Sequence, residues 1–462
     1  MESHHVNASK DRRARLIASV ASAIVSRTAG LLVQVIALPI VLAVLGTSHY
    51  AAYIQLQASF GWFGLLGLGI AIALPRFLSA AAIHDDRHEE RQLVLTTTVL
   101  VVLVGALAAG ATFAIGMLIG PQRLLHLPGG LRAGEVANGF AAIAFFIGLR
   151  FMVSIVTAVR SGYQELSRVY VMTTLANLLV IGLVVFALPP GSPLWLVFCY
   201  SYAPIVTLLA LDYVLLLVRR PYLVRGDWHP VQTMRRLLPV SLNAVLKQVS
   251  FFLMSSGAVL VLGHMQSAQN IAAFGTVITL MMLAASGFAA IYQPLLAAMA
   301  NAHSHGDKRW FRKAYFGGLG LTVAVTGLVA IVCGLAGPWL ALHWMRADLG
   351  ITRFFISAMA LYFMVWMLSD YHFNVLAAMA KLGGLGKIYV LEGIAALLCG
   401  SLLAPRFGIE GMAVGLAVGT AAFSLFYLPL RAWAIIQHDG WVWHAEVEAV
   451  PPTAPAGAGL EN

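Results

Sequence analysis

The chain has 462 residues, 60% of them hydrophobic and 10% charged, and carries a net charge of +10 at pH 7. Soluble domains hold about 25% charged residues, so a surface this poor in charge faces lipid, which excludes the soluble classes. The positive balance therefore reads as loop charge that orients helices across a bilayer, not as a nucleic-acid footprint.

In chain order, residues 1–15 are expected to form a cytoplasmic N-terminal segment. Apolar runs of about 20 residues suit a spanning helix, and six such spans follow at 16–45, 50–80, 93–119, 136–159, 169–188 and 194–218. Span one is too long for a signal-peptide core and no small-residue cleavage site follows a short core, so it is expected to stay in the membrane. A basic cytoplasmic linker, 219–236, leads to six more spans at 237–262, 271–299, 314–342, 354–378, 388–403 and 411–436. The Pro- and Ala-rich tail, 438–462, is expected to be disordered. With the N-terminus inside, 20 of the 29 Lys and Arg fall in inner segments and 5 in outer loops, which predicts that both termini are cytoplasmic.

The reading is an all-α polytopic membrane protein with twelve transmembrane helices in two lobes, 16–218 and 237–437. The two sets of six repeat. "VLGTSHYAAY" leaves span one and "VLGHMQSAQNIAAF" leaves span seven. Pro75 to His84 and Pro294 to His303 share one spacing. Because six is even, both halves enter with the same orientation. This predicts a parallel pseudo-two-fold along the membrane normal, with a central cavity between the lobes.

Several stretches resemble the polysaccharide flippase branch (Wzx-type, O-antigen and exopolysaccharide) of the multidrug/oligosaccharidyl-lipid/polysaccharide (MOP) exporter superfamily. The most specific is "LLAPRFGIEGMAVGLAVGT", 402–420, where Gly408 and Gly411 allow a tight turn and Gly411, Gly415 and Gly419 let a neighbouring helix approach. "VRSGYQELSRVYVMTTLANLL" and "LAAMAKLGGLGKIYVLEGI" resemble connections of the same branch. The resemblance implies a bacterial inner-membrane transporter that flips a polyprenyl-diphosphate-linked oligosaccharide to the outer leaflet by alternating access. It also implies membrane lipids and polysaccharide polymerase or chain-length regulator proteins as partners.

Charges inside spans are costly, about 2.5–3.5 kcal/mol each on insertion scales, and so mark cavities or pairs. Arg27 in span one, Lys247 in span seven and Arg150 in span four are such cations; Gln34 shares a face with Arg27, and Asn243 a face with Lys247. Read functionally, they form a cationic cavity that binds a diphosphate, Arg by its planar fork and Lys as a point charge. Read structurally, they pair with the deep acids Asp370 and Glu392. Arg76, near a span end, reads as a snorkelling residue. Asp370, His372 and Glu392 are candidates for proton or ion coupling. The "HSHGD" run lies in a charged turn and does not read as a metal site. No nucleophile–base constellation stands out, so the reading is a non-enzyme without cofactor or metal and without nucleic-acid partners. The competing reading is a cation-coupled multidrug exporter of the same superfamily.

Overall fold

The computed structural model describes residues 2–63, 74–75, 77–125, 131–304, 306–379 and 384–437, and these are nearly all helical. Arg76 and the tail 438–462 lie outside the described residues. Ten described stretches are long and apolar enough to cross a membrane. Two of them are broken by a glycine in a left-handed conformation, Gly46 (φ 71°) in the helix Glu2–Ser59 and Gly408 (φ 62°) in the helix Leu385–Ala421. A side chain there would strain the backbone, so glycine permits a turn that neither neighbouring helix could make. These breaks separate span one from span two, of which 50–63, 74–75 and 77–80 are described, and span eleven from span twelve.

Several helices run past their apolar cores because polar residues cap them. Asp86 accepts from the Glu89 amide at 2.9 Å and starts the helix Arg87–Ile119. Asp307 accepts from the Trp310 amide at 3.0 Å and starts Lys308–Met345. Such caps satisfy amides that have no helical acceptor. The two turns are copies of one another. A positive-φ residue, Asp85 or Gly306, precedes each cap, and each cap amide donates to a carbonyl five residues back, Asp86 to Ala81 at 3.0 Å and Asp307 to Ala302 at 2.9 Å. This register places His303 opposite Ala82, not opposite His84. The shared Pro–His spacing therefore finds the repeat but misaligns it by two residues. His303 is buried near Phe311, with ring centroids 6.1 Å apart, and His305 lies outside the described residues.

Helix partners repeat as well. Span one packs on five, three on four and five on six; correspondingly seven packs on eleven and nine on ten. Spans eleven and twelve meet backbone to backbone. A Cβ at Gly415 would lie 2.3 Å from Gly400 N, and one at Gly419 would lie 2.4 Å from Ala396 Cα. The small-residue face thus serves its own hairpin.

The lobes touch at the end of the bundle that carries Gly46. Tyr50 Oη lies 3.2 Å from Thr276 Oγ1, both fully buried. Ile54 fills the space above Gly275, where a Cβ would approach it to 2.6 Å. The Trp344 indole donates to the Val35 carbonyl at 2.8 Å. The linker belongs to the first lobe: Gln92 donates to the Asp227 carbonyl at 2.6 Å and accepts from the His229 amide at 2.6 Å, while Trp228 donates to Thr96 at 3.0 Å. The linker's contacts to the first lobe thus run as far as His229, where the helix Pro230–Phe252 begins.

Candidate functional site

Span seven divides two cavities. Its helix Pro230–Phe252 passes through a π-helical turn, Leu253–Gly257, before resuming as Ala258–Met265. The extra residue in such a turn rotates the face that follows, a device common at functional sites. Lys247, Ser250, Phe251 and Met254 line a cavity of about 360 Å³ within the second lobe. Ser255 and Ser256 instead line a cavity of about 430 Å³ between the lobes.

In the second-lobe cavity, Lys247 Nζ donates to Asp370 Oδ1 at 2.7 Å, joining spans seven and ten. Asp370 Oδ2 accepts from Tyr292 Oη at 2.6 Å and from Asn374 Nδ2 at 2.8 Å. The Lys247 ammonium also lies 4.1 Å from the Phe373 ring centroid. Both members of the ion pair keep contact with the cavity, at 25% and 15% side-chain exposure. Glu392 forms the cavity's other acidic wall. Its Oε2 accepts from Ser369 Oγ at 3.0 Å, but its buried Oε1 has no partner among the described residues, and neither does Ser250 Oγ in the same cavity. Orphaned polar atoms at membrane depth are costly and call for a proton, ion or water.

The central cavity has a different chemistry. Gln57 donates to Tyr53 at 2.9 Å and to Tyr202 at 3.1 Å, building a polar strip on an aromatic wall. Arg150 points in from span four, its guanidinium 5.7 Å from the Tyr202 ring centroid, without a carboxylate partner among the described residues. Gln34 also lines the cavity, and aliphatic groups such as Val33, Leu38 and Ile278 supply most of the rest.

The candidate residues thus fall into separate places. Lys247, Asp370 and Glu392 come together in one cavity; Arg150 and Gln34 come together in the other. Arg27 is exposed, lines neither cavity, and stands about 10 Å from Gln34 along the same face of span one. The Asn243 side chain lies outside the described residues. His372 faces away from both cavities, its Nε2 lying 3.1 Å from Tyr315 Oη of span nine and its Nδ1 2.6 Å from the Leu368 carbonyl. Tyr292, Gln57 and Tyr202 are additions that sequence reasoning did not single out. Ser250, three residues from Lys247 on the same face, and Asn374, one helical turn from Asp370, carried a readable signal; the aromatic residues carried none.

No protein-family model matches the chain, and no curated protein sequence matches it. Solved structures do. The chain is similar to the inward-facing conformation of a multidrug resistance MATE family transporter of the MOP superfamily, with a TM-score of 0.75 and 12% identity over 88% of this chain and 96% of that one. The outward-facing conformation of a transporter of the same description gives 0.66, with 12% identity over 92% and 96%. A MOP superfamily transporter from Pyrococcus furiosus, described as having a binding pocket of reverse polarity, also gives 0.66 and 12% identity over 92% and 96%. These likenesses establish the fold: twelve helices in two six-helix halves.

Proposed function

We propose that the chain is a cation-coupled exporter that moves drug-sized amphipathic molecules by alternating access, with the coupling ion or proton taken at Asp370 and Glu392. The observation that carries this reading is the Glu392 carboxylate oxygen left without a partner in the cavity that holds the Lys247–Asp370 pair. Lys247 balances one carboxylate only, so the second is free to take a cation. The central cavity, at about 430 Å³, matches the 300–1,000 Å³ typical of small-molecule pockets. Its aromatic and aliphatic walls fit an amphipathic compound, and Arg150 favours neutral or anionic compounds over cations. Contact between the lobes at the Gly46 end agrees with the higher similarity to an inward-facing structure. It also agrees with the expected cytoplasmic N-terminus.

A second reading, export of a polyprenyl-diphosphate-linked oligosaccharide, draws support from Arg150 and from the reverse pocket polarity ascribed to the Pyrococcus furiosus neighbour. Pairing of Lys247 with Asp370 weakens it, because Arg150 is then the one cation without a carboxylate partner among the described residues that line the central and second-lobe cavities. Vesicles containing the purified protein distinguish the two. Uptake of neutral and anionic aromatic dyes, unaffected by added lipid-linked saccharide, supports the exporter. Transfer of the saccharide across the bilayer without dye transport supports the flippase and overturns the exporter.

A further inference from the structure

A separate cleft of about 330 Å³ opens at the inner ends of spans five and six and shares no lining residue with either cavity. Its floor is the Arg160–Asp212 pair, each residue 2% exposed. Arg160 Nη2 donates to Asp212 Oδ1 at 2.6 Å and Nε to Oδ2 at 3.2 Å, while Nη1 donates to Glu165. The other Glu165 oxygen accepts from Arg220 at 2.7 Å. Both nearby acids are therefore already neutralised by Arg160 and Arg220.

Two further arginines rim the cleft, Arg168 on span five and Arg219 on span six. Both are exposed, and neither has an ion pair or side-chain hydrogen bond among the described residues. Below each, one helical turn deeper, stands an exposed aliphatic residue: Val171 (49%) under Arg168 and Leu215 (38%) under Arg219. Ser167 adds a hydroxyl at the rim. The cleft is thus cationic at the top and apolar below. Arginine at span ends is expected from orientation alone. Orientation does not explain why two of them share one cavity, lack any counter-charge, and stand over matched apolar residues.

We propose that this cleft binds the phosphate of an anionic membrane lipid. The two guanidinium forks and Ser167 hold the phosphate oxygens, and an acyl chain descends between Val171 and Leu215. The site is independent of what the central cavity transports. It fixes the first lobe, together with its attached linker, to the inner leaflet while the second lobe moves.

The test is lipid retention by the purified full-length chain, read by native mass spectrometry with phosphatidylglycerol or phosphatidylcholine added. The wild type should retain phosphatidylglycerol preferentially. Arg168→Gln/Arg219→Gln should weaken that retention by roughly tenfold or more. Lys308→Gln/Arg309→Gln, at the inner end of the other lobe, should leave it unchanged. Leu215→Trp keeps both charges but fills the groove, and should also reduce retention. Equal retention by the double arginine variant, an equal loss in the lysine–arginine control, or full displacement of the lipid by inorganic phosphate would each overturn the proposal.

Discussion

The indole nitrogen of Trp344 donates across the lobe boundary to the Val35 carbonyl at 2.8 Å, and that carbonyl is available because residue 39 is proline. In an unbroken helix the residue-39 amide would bond to it, but proline has no N–H. The second lobe thus supplies a donor that the first lobe lacks. Trp344→Phe should weaken closure by about 1 kcal/mol, several-fold in population. Pro39→Ala restores a helical donor, so adding Trp344→Phe to it should have little further effect. Spin-label distances between spans one and nine in the four proteins check this; an equal shift in both backgrounds would show that the indole acts through packing alone.

Asp370 collects donors from Lys247, Tyr292 and Asn374. Asp370→Asn should therefore impair transport more than Lys247→Gln, which leaves Asp370 two of its donors. The stability loss should fall below the about 3–5 kcal/mol of a fully buried broken pair, because both side chains are partly exposed to the cavity. Initial transport rates and thermal unfolding of the two variants provide the comparison. Equal, small effects on rate would assign the pair to helix packing.

Arg150 sets the polarity of the central cavity. Arg150→Lys should keep the preference for neutral or anionic substrates, Arg150→Gln should relax it, and Arg150→Glu should turn it toward cations, since Coulomb terms are larger in a cavity of lowered dielectric. Arg27→Gln should alter selectivity less, because Arg27 lines neither described cavity. Competition among charged and neutral dyes reads this out. A cation preference already present in the wild type would contradict it.

Much of the fold was legible in advance because apolar length and loop charge are strong, local signals. Gly408 marked its turn from the sequence, whereas Gly46 did so less clearly, sitting in an ordinary-looking "VLGTS". The helix starts at Asp86 and Asp307 were missed by span reading, since caps extend helices beyond the hydrocarbon core. The candidate site was legible only in part. Lys247, Asp370 and Glu392 announced themselves as charges in apolar runs. Their separation from Arg150 and Gln34, which line the other cavity, did not, because span seven divides the two cavities at a π-helical turn that leaves no sequence pattern. His372, two residues from Asp370, points to the opposite side of span ten, as a spacing of two on a helix dictates.

The most direct test of the account is gradient-driven transport through the second-lobe carboxylates. Purified protein in sealed vesicles would be given a proton gradient or, separately, a sodium gradient, and accumulation of an aromatic dye followed against its concentration gradient. The account predicts that one of the two gradients drives accumulation, and that Glu392→Gln, which keeps the acceptor for Ser369 but removes the charge, abolishes accumulation while leaving downhill exchange of the dye intact. Accumulation by Glu392→Gln equal to that of the wild type, or no response to either gradient, would contradict it.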